Sequence, residues 1–236
     1  MDELHWDYRP SIELIRKFVE SRSLAGYAAV ENREPVGYGF YVLEDHKGLI
    51  GGLYVSPRYQ QPQITQRLLG EMLSALRATP RIERVEAQLM PFGEMLDPVL
   101  TAQQFRLHPR QFMLLSLDRV KLDGAPLSAG LRIDPWNDRA FEPCARLIQL
   151  AYANHVDGEI NDQYCSEPGA MRFLRNIVVL PGCGQFQSFA SFVVRAVTSD
   201  QPIGMVLTSS VASGVGHTTQ ICVMPGYQGH GIGRYL

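Results

Sequence analysis

Apolar positions along this chain switch between a helical and a strand-like period. Residues 11–19 place Ile12, Leu14, Ile15, Phe18 and Val19 at helical spacing, with Ser11 placed to cap the helix after Pro10. Residues 27–30 and 36–43 read as strands joined by the turn Asn32-Arg33-Glu34-Pro35, and 49–55 reads as a third. Ile64, Leu68, Leu69, Met72, Leu73 and Leu76 return to helical spacing, with Pro80 beyond the end. Residues 85–90 predict a strand, 94–105 a helix and 111–117 a strand. The stretch 118–130, with Asp123-Gly124, Pro126 and Gly130, has a linker's composition. The pattern then restarts with a strand over 131–133 and helices over 141–153 and 169–180, the second closed by Pro181-Gly182. Strands follow over 189–197, 203–209 and 218–223, with Ser199-Asp200-Gln201-Pro202 turning between the first two. The expected fold class is α/β with mixed sheets.

The most informative stretch is the last, Ile221-Cys222-Val223-Met224-Pro225-Gly226-Tyr227-Gln228-Gly229-His230-Gly231-Ile232-Gly233-Arg234-Tyr235-Leu236. Ile221, Cys222 and Val223 end a buried strand, and Pro225 and Gly226 stop it. Ile232 and Leu236 then stand at i, i+4, as on one face of a helix. Strand, glycine-rich turn and helix start follow one another. The first N–H groups of a helix lack internal partners, and glycines without Cβ let an anion approach the backbone. A phosphate or pyrophosphate fits that arrangement. An ordinary glycine-rich connection is the plainer alternative. Two other phosphate loops fit less well. The dinucleotide fingerprint needs a third glycine one residue later, and the Walker loop needs Lys followed by Ser or Thr where Arg234-Tyr235 stands.

Gln228 to Gly233, preceded by Val223-Met224-Pro225, resembles the Q/R-x-x-G-x-G/A motif of the GCN5-related N-acetyltransferase (GNAT) superfamily. The resemblance implies acetyl-CoA or another acyl-CoA as co-substrate. It implies that the amides of Gln228, Gly229, Gly231, Ile232 and Gly233 hold the pyrophosphate and that Cys222 and Val223 meet the pantetheine arm. His230, within the turn, faces solvent or the adenosine phosphate on this reading.

A repeat extends the resemblance. Val223, Pro225, Tyr227, Gln228, Ile232 and Leu236 are matched at one constant offset by Val55, Pro57, Tyr59, Gln60, Ile64 and Leu68. Gln201-Pro202-Ile203-Gly204 likewise echoes Glu34-Pro35-Val36-Gly37. A tandem duplication explains ungapped identities that include Pro, Tyr and Gln better than chance does. In the first copy, Gln61, Gln63 and Thr65 replace Gly229, Gly231 and Gly233, and Pro62 replaces His230 and removes a donor. The expected organisation is a degenerate GNAT-like domain over 1–120, a linker over 121–130, and a GNAT domain over 131–236. The second domain ends just after the glycine turn and is therefore incomplete, so the chain reads as part of a longer tandem protein.

Composition narrows the partners. The chain has 236 residues, is 45% hydrophobic and 19% charged, and carries a net charge of −2. It can bury a sizeable core, and its charge makes no case for nucleic acid or an anionic membrane as a bulk partner. No apolar run reaches the length of a membrane span, and the start lacks the basic and apolar regions of a signal peptide. Cys144, Cys165, Cys183 and Cys222 show no metal-binding spacing, so reduced thiols in a cytoplasmic protein are expected, with no metal.

Transfer of an acyl group to an amine needs a group that accepts the amine's proton. His217 occupies the position of the glutamate base of the histone-acetylating branch, and strand alternation puts it in phase with Thr219, Ile221 and Val223. A histidine at an exposed strand start with no role is the alternative. His155, Asp157, Glu159 and Asp162 lie where the family often forms one wall of the acceptor pocket, or else they belong to a solvated loop. Tyr152 and Tyr164 are aromatic candidates for the same wall or for packing. The expected activity is acetyl transfer from acetyl-CoA to a primary amine of a small molecule or peptide, with a homodimer as one allowed assembly. A non-catalytic acyl-CoA-binding or regulatory module, or a pseudo-enzyme, is the alternative.

Overall fold

The computed structural model describes residues 5–59, 62–89, 95–120, 127–180 and 182–236. The chain divides into two compact units. One is Glu13–Gln111. The other joins the N-terminal segment, as far as Ile12, to Phe112–Leu236. Helix α1, Arg9–Glu20, runs across the division at Ile12. Against the expected limits of 1–120 and 131–236, the first residues group with the second unit. The reason is local: the Asp7 N–H donates to the Val211 carbonyl at 2.7 Å, and the Trp6 ring lies 5.0 Å from that of His217.

In the Glu13–Gln111 unit, strands β1 (Ala25–Glu31), β2 (Glu34–Glu44) and β3 (Lys47–Val55) form an antiparallel meander. Helix α2 (Pro62–Ala78) then crosses over to β4 (Arg84–Ala87), which pairs parallel to β3. Leu68, Leu69, Met72, Leu73 and Leu76 of α2 pack on Ile50, Leu53 and Val55. These α2 positions carry the helical period seen in the sequence. Helix α3 is Asp97–Ala102.

The expected strand over 111–117 is absent. Phe112, Met113, Leu114 and Leu115 are exposed, Met113 at 95%, and Leu117–Arg119 forms a 3-10 turn. The apolar run has strand composition but pairs with no strand among the described residues, and a strand exists only through its ladder. Several expected features touch positions outside the described residues: Gln60 and Gln61, the strand end at Met90, the helix start at Glu94, positions 121–126 of the linker, and Pro181.

The second unit is built on a five-stranded sheet: β5 (Leu131–Pro135), β6 (Gln185–Phe186), β7 (Phe192–Ala196), β8 (Pro202–Ala212) and β9 (Val215–Val223). Strand β8 is the hub, antiparallel to β6, β7 and β9. Helices α4 (Phe141–Tyr152) and α6 (Glu167–Val179) cover one face, burying Leu147, Ile148, Leu174 and Ile177 against Val193, Met205, Leu207 and Cys222. The short helix α7 (Ile232–Tyr235) covers the other, where Ile232 and Leu236 meet Val194, Ala196 and Val223. Helix α6 starts where Ser166 Oγ accepts from the Gly169 N–H at 3.2 Å. Between α4 and α6, the stretch expected as loop holds helix α5 (Val156–Ile160) and a 3-10 turn, Asp162–Cys165. Both are capped by short polar side chains, His155 and Asn161.

The repeat is visible in atomic detail. Gly37 pairs with Val55 as Gly204 pairs with Val223. The Ser56 N–H donates to the Val36 carbonyl and the Met224 N–H to the Ile203 carbonyl, both at 2.8 Å. The 3-10 turns Pro57–Tyr59 and Pro225–Tyr227 follow in the same register. The second copy then departs from the first: α2 starts at Pro62, the counterpart of His230, whereas α7 starts only at Ile232.

The first unit also buries a charge. The Lys47 side chain is 6% exposed, with Nζ 3.4 Å from Glu44 and 3.3 Å from Glu86, which is itself 10% exposed. Removing one partner of such a group strands the other in low dielectric. Lys47→Ala is expected to lower stability by about 3 kcal/mol, measured as a lower urea midpoint with an unchanged m-value, whereas Arg67→Ala, at an exposed ion pair, should shift it by under about 0.5 kcal/mol.

Candidate functional site

The site is built on β9 and the turn that follows it. Strand β9 pairs with β8 as Gly204 with Val223, Met205 with Cys222, Val206 with Ile221 and Leu207 with Gln220. The register then slips: Thr208 faces Thr218, leaving Thr219 as an extra residue in a bulge. Its hydroxyl donates to Ser209 Oγ at 3.1 Å.

The bulge corrects one expectation. Cross-strand partners share a face, so His217, opposite Ser209, lies with Gln220 and Cys222 on the face of α4 and α6. Ile221 and Val223 lie on the other face, toward α7. The expected common face of His217, Thr219, Ile221 and Val223 counted a strict period of two, and the inserted residue breaks that period.

After Val223 the chain turns through Pro225–Tyr227 and enters Gln228–Gly231. Gly229 and Gly231 are left-handed, with φ of +78° and +79°. A β-carbon built at Gly226, Gly229 or Gly231 meets nothing within 4 Å, so the space above the turn is open. Gln228 Nε2 donates to the Val223 carbonyl at 3.0 Å and ties the turn to the strand end. His230 Nδ1 lies 2.8 Å from the Gln228 carbonyl, which accepts only from a protonated nitrogen, so Nδ1 carries hydrogen. The helix bonds close with Arg234 and Tyr235 donating to the Gly231 carbonyl, which places the amides of Ile232 and Gly233 in the first turn. The Gln228 N–H, expected among the free donors, instead donates to the Pro225 carbonyl at 3.3 Å, so the turn offers the backbone donors that follow it, with open space above Gly229 and Gly231. An anionic diphosphate fits that chemistry, and no Cβ obstructs it.

Of the two strand residues expected beside the turn, Cys222 is 7% exposed with its side chain in the core, and burial pushes its thiol well above the ordinary range. The Met224 N–H points at β8, so alternation turns the main chain of Cys222 toward β8 and that of Ile221 and Val223 toward the outer edge. Ile221 thus joins Val223 on the edge that was expected from Cys222 and Val223.

On the His217 face, Tyr152 stacks on Tyr164 at 4.3 Å between ring centroids. Gln220 Nε2 donates to the Tyr152 hydroxyl at 2.9 Å, and that hydroxyl donates to the Ile221 carbonyl at 3.3 Å. Burial raises the Tyr164 phenol, and lowers the pKa of His217, so the imidazole is neutral near pH 7. Trp6 stacks on Tyr8 at 5.4 Å and lies against His217. His155 accepts from the Asp157 N–H, so its nearest role is a helix cap. Sequence reasoning did not single out Trp6, Tyr8 or Gln220. Gln220 was legible as a polar residue inside an apolar strand, whereas nothing in the periodicity marks Trp6. Among the described residues no group of three His, Cys, Asp or Glu side chains is placed to hold a metal, and no helix is long and apolar enough to cross a membrane.

The family model for the acetyltransferase (GNAT) family matches residues 1–93 and 161–236, more than half of the chain. The chain belongs to the acetyltransferase (GNAT) family. Among solved structures it is similar to a GCN5-related N-acetyltransferase from Sphaerobacter thermophilus, with 12% identity and a TM-score of 0.59 over 96% of this chain and 70% of that one. It is also similar to a tandem GNAT protein from the clavulanic acid biosynthesis pathway, with 16% identity and a TM-score of 0.54 over 90% and 67%. A third likeness is to a GCN5-related glucosamine N-acetyltransferase region of a fungal multi-domain GH3 β-N-acetylglucosaminidase, at 14% identity and a TM-score of 0.56 over 87% and 27%. No curated protein matches the chain in sequence. At these identities the likenesses establish the fold, two tandem GNAT-like units.

A β-carbon at a left-handed residue costs about 1–2 kcal/mol even in open space. Gly231→Ala should therefore lower stability by about 1 kcal/mol, while Gly226→Ala, equally open but without a positive φ, should change it by under about 0.5 kcal/mol. Paired urea titrations separate the two.

Proposed function

We propose that this protein is an acyl-CoA-dependent N-acetyltransferase that transfers an acetyl group from acetyl-CoA to a primary amine of a small molecule or peptide. The observation that carries the reading is the open turn Gln228–Gly233, two of its glycines left-handed, at the end of β9 in a chain of the acetyltransferase family. The amides of Gly229, Gly231, Ile232 and Gly233 hold the diphosphate, with His230 at the rim, while the Gln228 N–H stays on the Pro225 carbonyl. The main chain of Val223, with Ile221 beside it, offers the strand edge to the pantetheine arm. The cofactor supplies an activated acyl thioester. The chain's own task is to present a neutral amine to it and to take up the amine's proton.

His217 is the proposed proton acceptor. Its imidazole is neutral at physiological pH because burial disfavours the charged form. Working alone as base, it would give kcat/KM an acid limb with a midpoint below the ordinary histidine value, activity falling as pH drops through it. The half-buried ring under Trp6 favours a second reading, a module that binds acyl-CoA without turnover. Release of free thiol with a panel of amines distinguishes the two, since the second reading requires binding and no release.

Gly231→Glu places a carboxylate where the diphosphate is held. Acetyl-CoA affinity by calorimetry should fall by on the order of a hundredfold or more, since like charges at a few ångströms repel by several kcal/mol at a protein surface. Circular dichroism should stay close to wild type. Unchanged affinity in a folded variant would remove this turn from the binding site.

A further inference from the structure

We propose that the N-terminal segment Trp6–Tyr8 is a wall of the acceptor site, and that it takes a primary amine carried on an apolar or aromatic body. This rests on the acetyl-transfer reading of the same unit. The segment is held in place by the main chain, the Asp7 N–H donating to the Val211 carbonyl at 2.7 Å near the end of β8. On either side of Asp7 stand two aromatic rings, Trp6 and Tyr8, stacked at 5.4 Å with planes 22° apart. The indole continues to His217, 5.0 Å away and tilted by 50°. His217 shares its face of β9 with Gln220, and Gln220 reaches the Tyr152 hydroxyl, with Tyr164 stacked behind. One strip of the strand therefore carries rings at both ends and hydrogen-bonding groups between them.

Two details show that this strip is suited to a ligand. The Tyr8 hydroxyl is buried and has no hydrogen-bond partner among the described residues, which is costly unless something polar reaches it. The acid in the segment is already engaged: Arg9 bonds both oxygens of Asp7, at 2.8 and 2.6 Å, and holds its carboxyl down at about 2. Among the described residues of the segment no free anion therefore invites a polyamine, and the flat indole and phenol favour an apolar or aryl body. The proposed base sits beside that body.

The chain contains two tryptophans, so Trp136→Phe leaves Trp6 as the sole indole. In that variant, 4-phenylbutylamine is expected to change Trp6 emission saturably at 295 nm excitation, and spermidine to leave it unchanged. If the variant does not fold, the difference between wild type and Trp6→Phe carries the same signal. Lowering pH should quench Trp6 as His217 becomes imidazolium, and His217→Gln should abolish that step. Among the described residues, the groups facing His217 are Trp6 with Tyr8 behind it, Ser209 across the sheet, and Thr219 and Gln220 on its own strand. Asp7 titrates at about 2 and Tyr8 above the ordinary phenol range, so neither enters the window. His5, exposed beside Trp6, is present in both proteins and is common to the comparison. In turnover, Trp6→Ala should raise KM for 4-phenylbutylamine by about tenfold, about 1.4 kcal/mol, with kcat within about twofold. Trp6→Phe should recover most of the loss, and acetyl-CoA affinity should not move. Emission unmoved by the amine, or an unchanged KM in Trp6→Ala, would overturn the proposal. Absence of thiol release with every amine would instead sink acetyl transfer, while the fluorescence titration still decides whether Trp6 meets the amine.

Discussion

Helix α7 packs its side chains directly on the β8 backbone at Gly204. A β-carbon at Gly204 would stand 3.0 Å from Ile232 Cγ2 and 3.3 Å from Leu236 Cδ1. Contacts that short are tight, and the ends of the Ile232 and Leu236 side chains would have to give by a few tenths of an ångström. The glycine turn hangs between this contact and the bond from Gln228 to Val223, so its position depends on both. Ile232 and Leu236 hold α7 on the sheet by packing on Val194, Ala196 and Val223. The missing side chain at Gly204 therefore lets α7 seat closely on β8, beside the turn at the end of β9.

The first unit meets the same constraint in the same way. A β-carbon at Gly37 would stand 3.3 Å from Leu68 Cδ1, the counterpart of Leu236, and 2.9 Å from the Tyr54 carbonyl. Strand pairing, crossover bond and 3-10 turn are all retained there. What differs is the residue type after the turn. Side chains without a left-handed preference favour helix as soon as it can start, and Pro at the first helical position fits because its missing N–H would have no partner anyway. Helix α2 accordingly begins two residues early and Thr65 is buried within it. In the second unit, Gly229 and Gly231 adopt a conformation that other residues resist, which delays the helix and leaves the turn open. The same scaffold thus carries an early helix start in one unit and an open glycine turn in the other.

This difference was legible in the sequence because glycine positions report backbone conformation directly. The helices α2, α4 and α6 were equally legible, since six or more apolar residues at helical spacing leave little choice. Elements whose existence depends on a distant neighbour were not. The residues over 111–117 have the composition of a strand, yet nothing in their own sequence tells whether a ladder partner is at hand. Helix α5 is five residues long, set by the caps of His155 and Asn161 rather than by a repeating pattern. Trp6 belongs to the second unit through one main-chain bond to Val211, which leaves no trace in periodicity.

The bulge at Thr219 has the largest consequence for the site. Without it, His217 would share a face with Ile221 and Val223, and the proposed base would look toward α7. A single inserted residue turns the first part of β9 over relative to the second. The end of the strand then gives its outer edge and one face to the glycine turn, while its beginning gives the opposite face to His217, Gln220 and the aromatic side chains around them. The two proposed ligands, an anionic diphosphate and an amine with an apolar body, then fall on different sides of one strand. Ser209, fully buried opposite His217, accepts the Thr219 hydroxyl and so fixes the bulge from below. Positioning the proposed base is in this sense a backbone property, decided by where the register slips rather than by which side chain occupies the position.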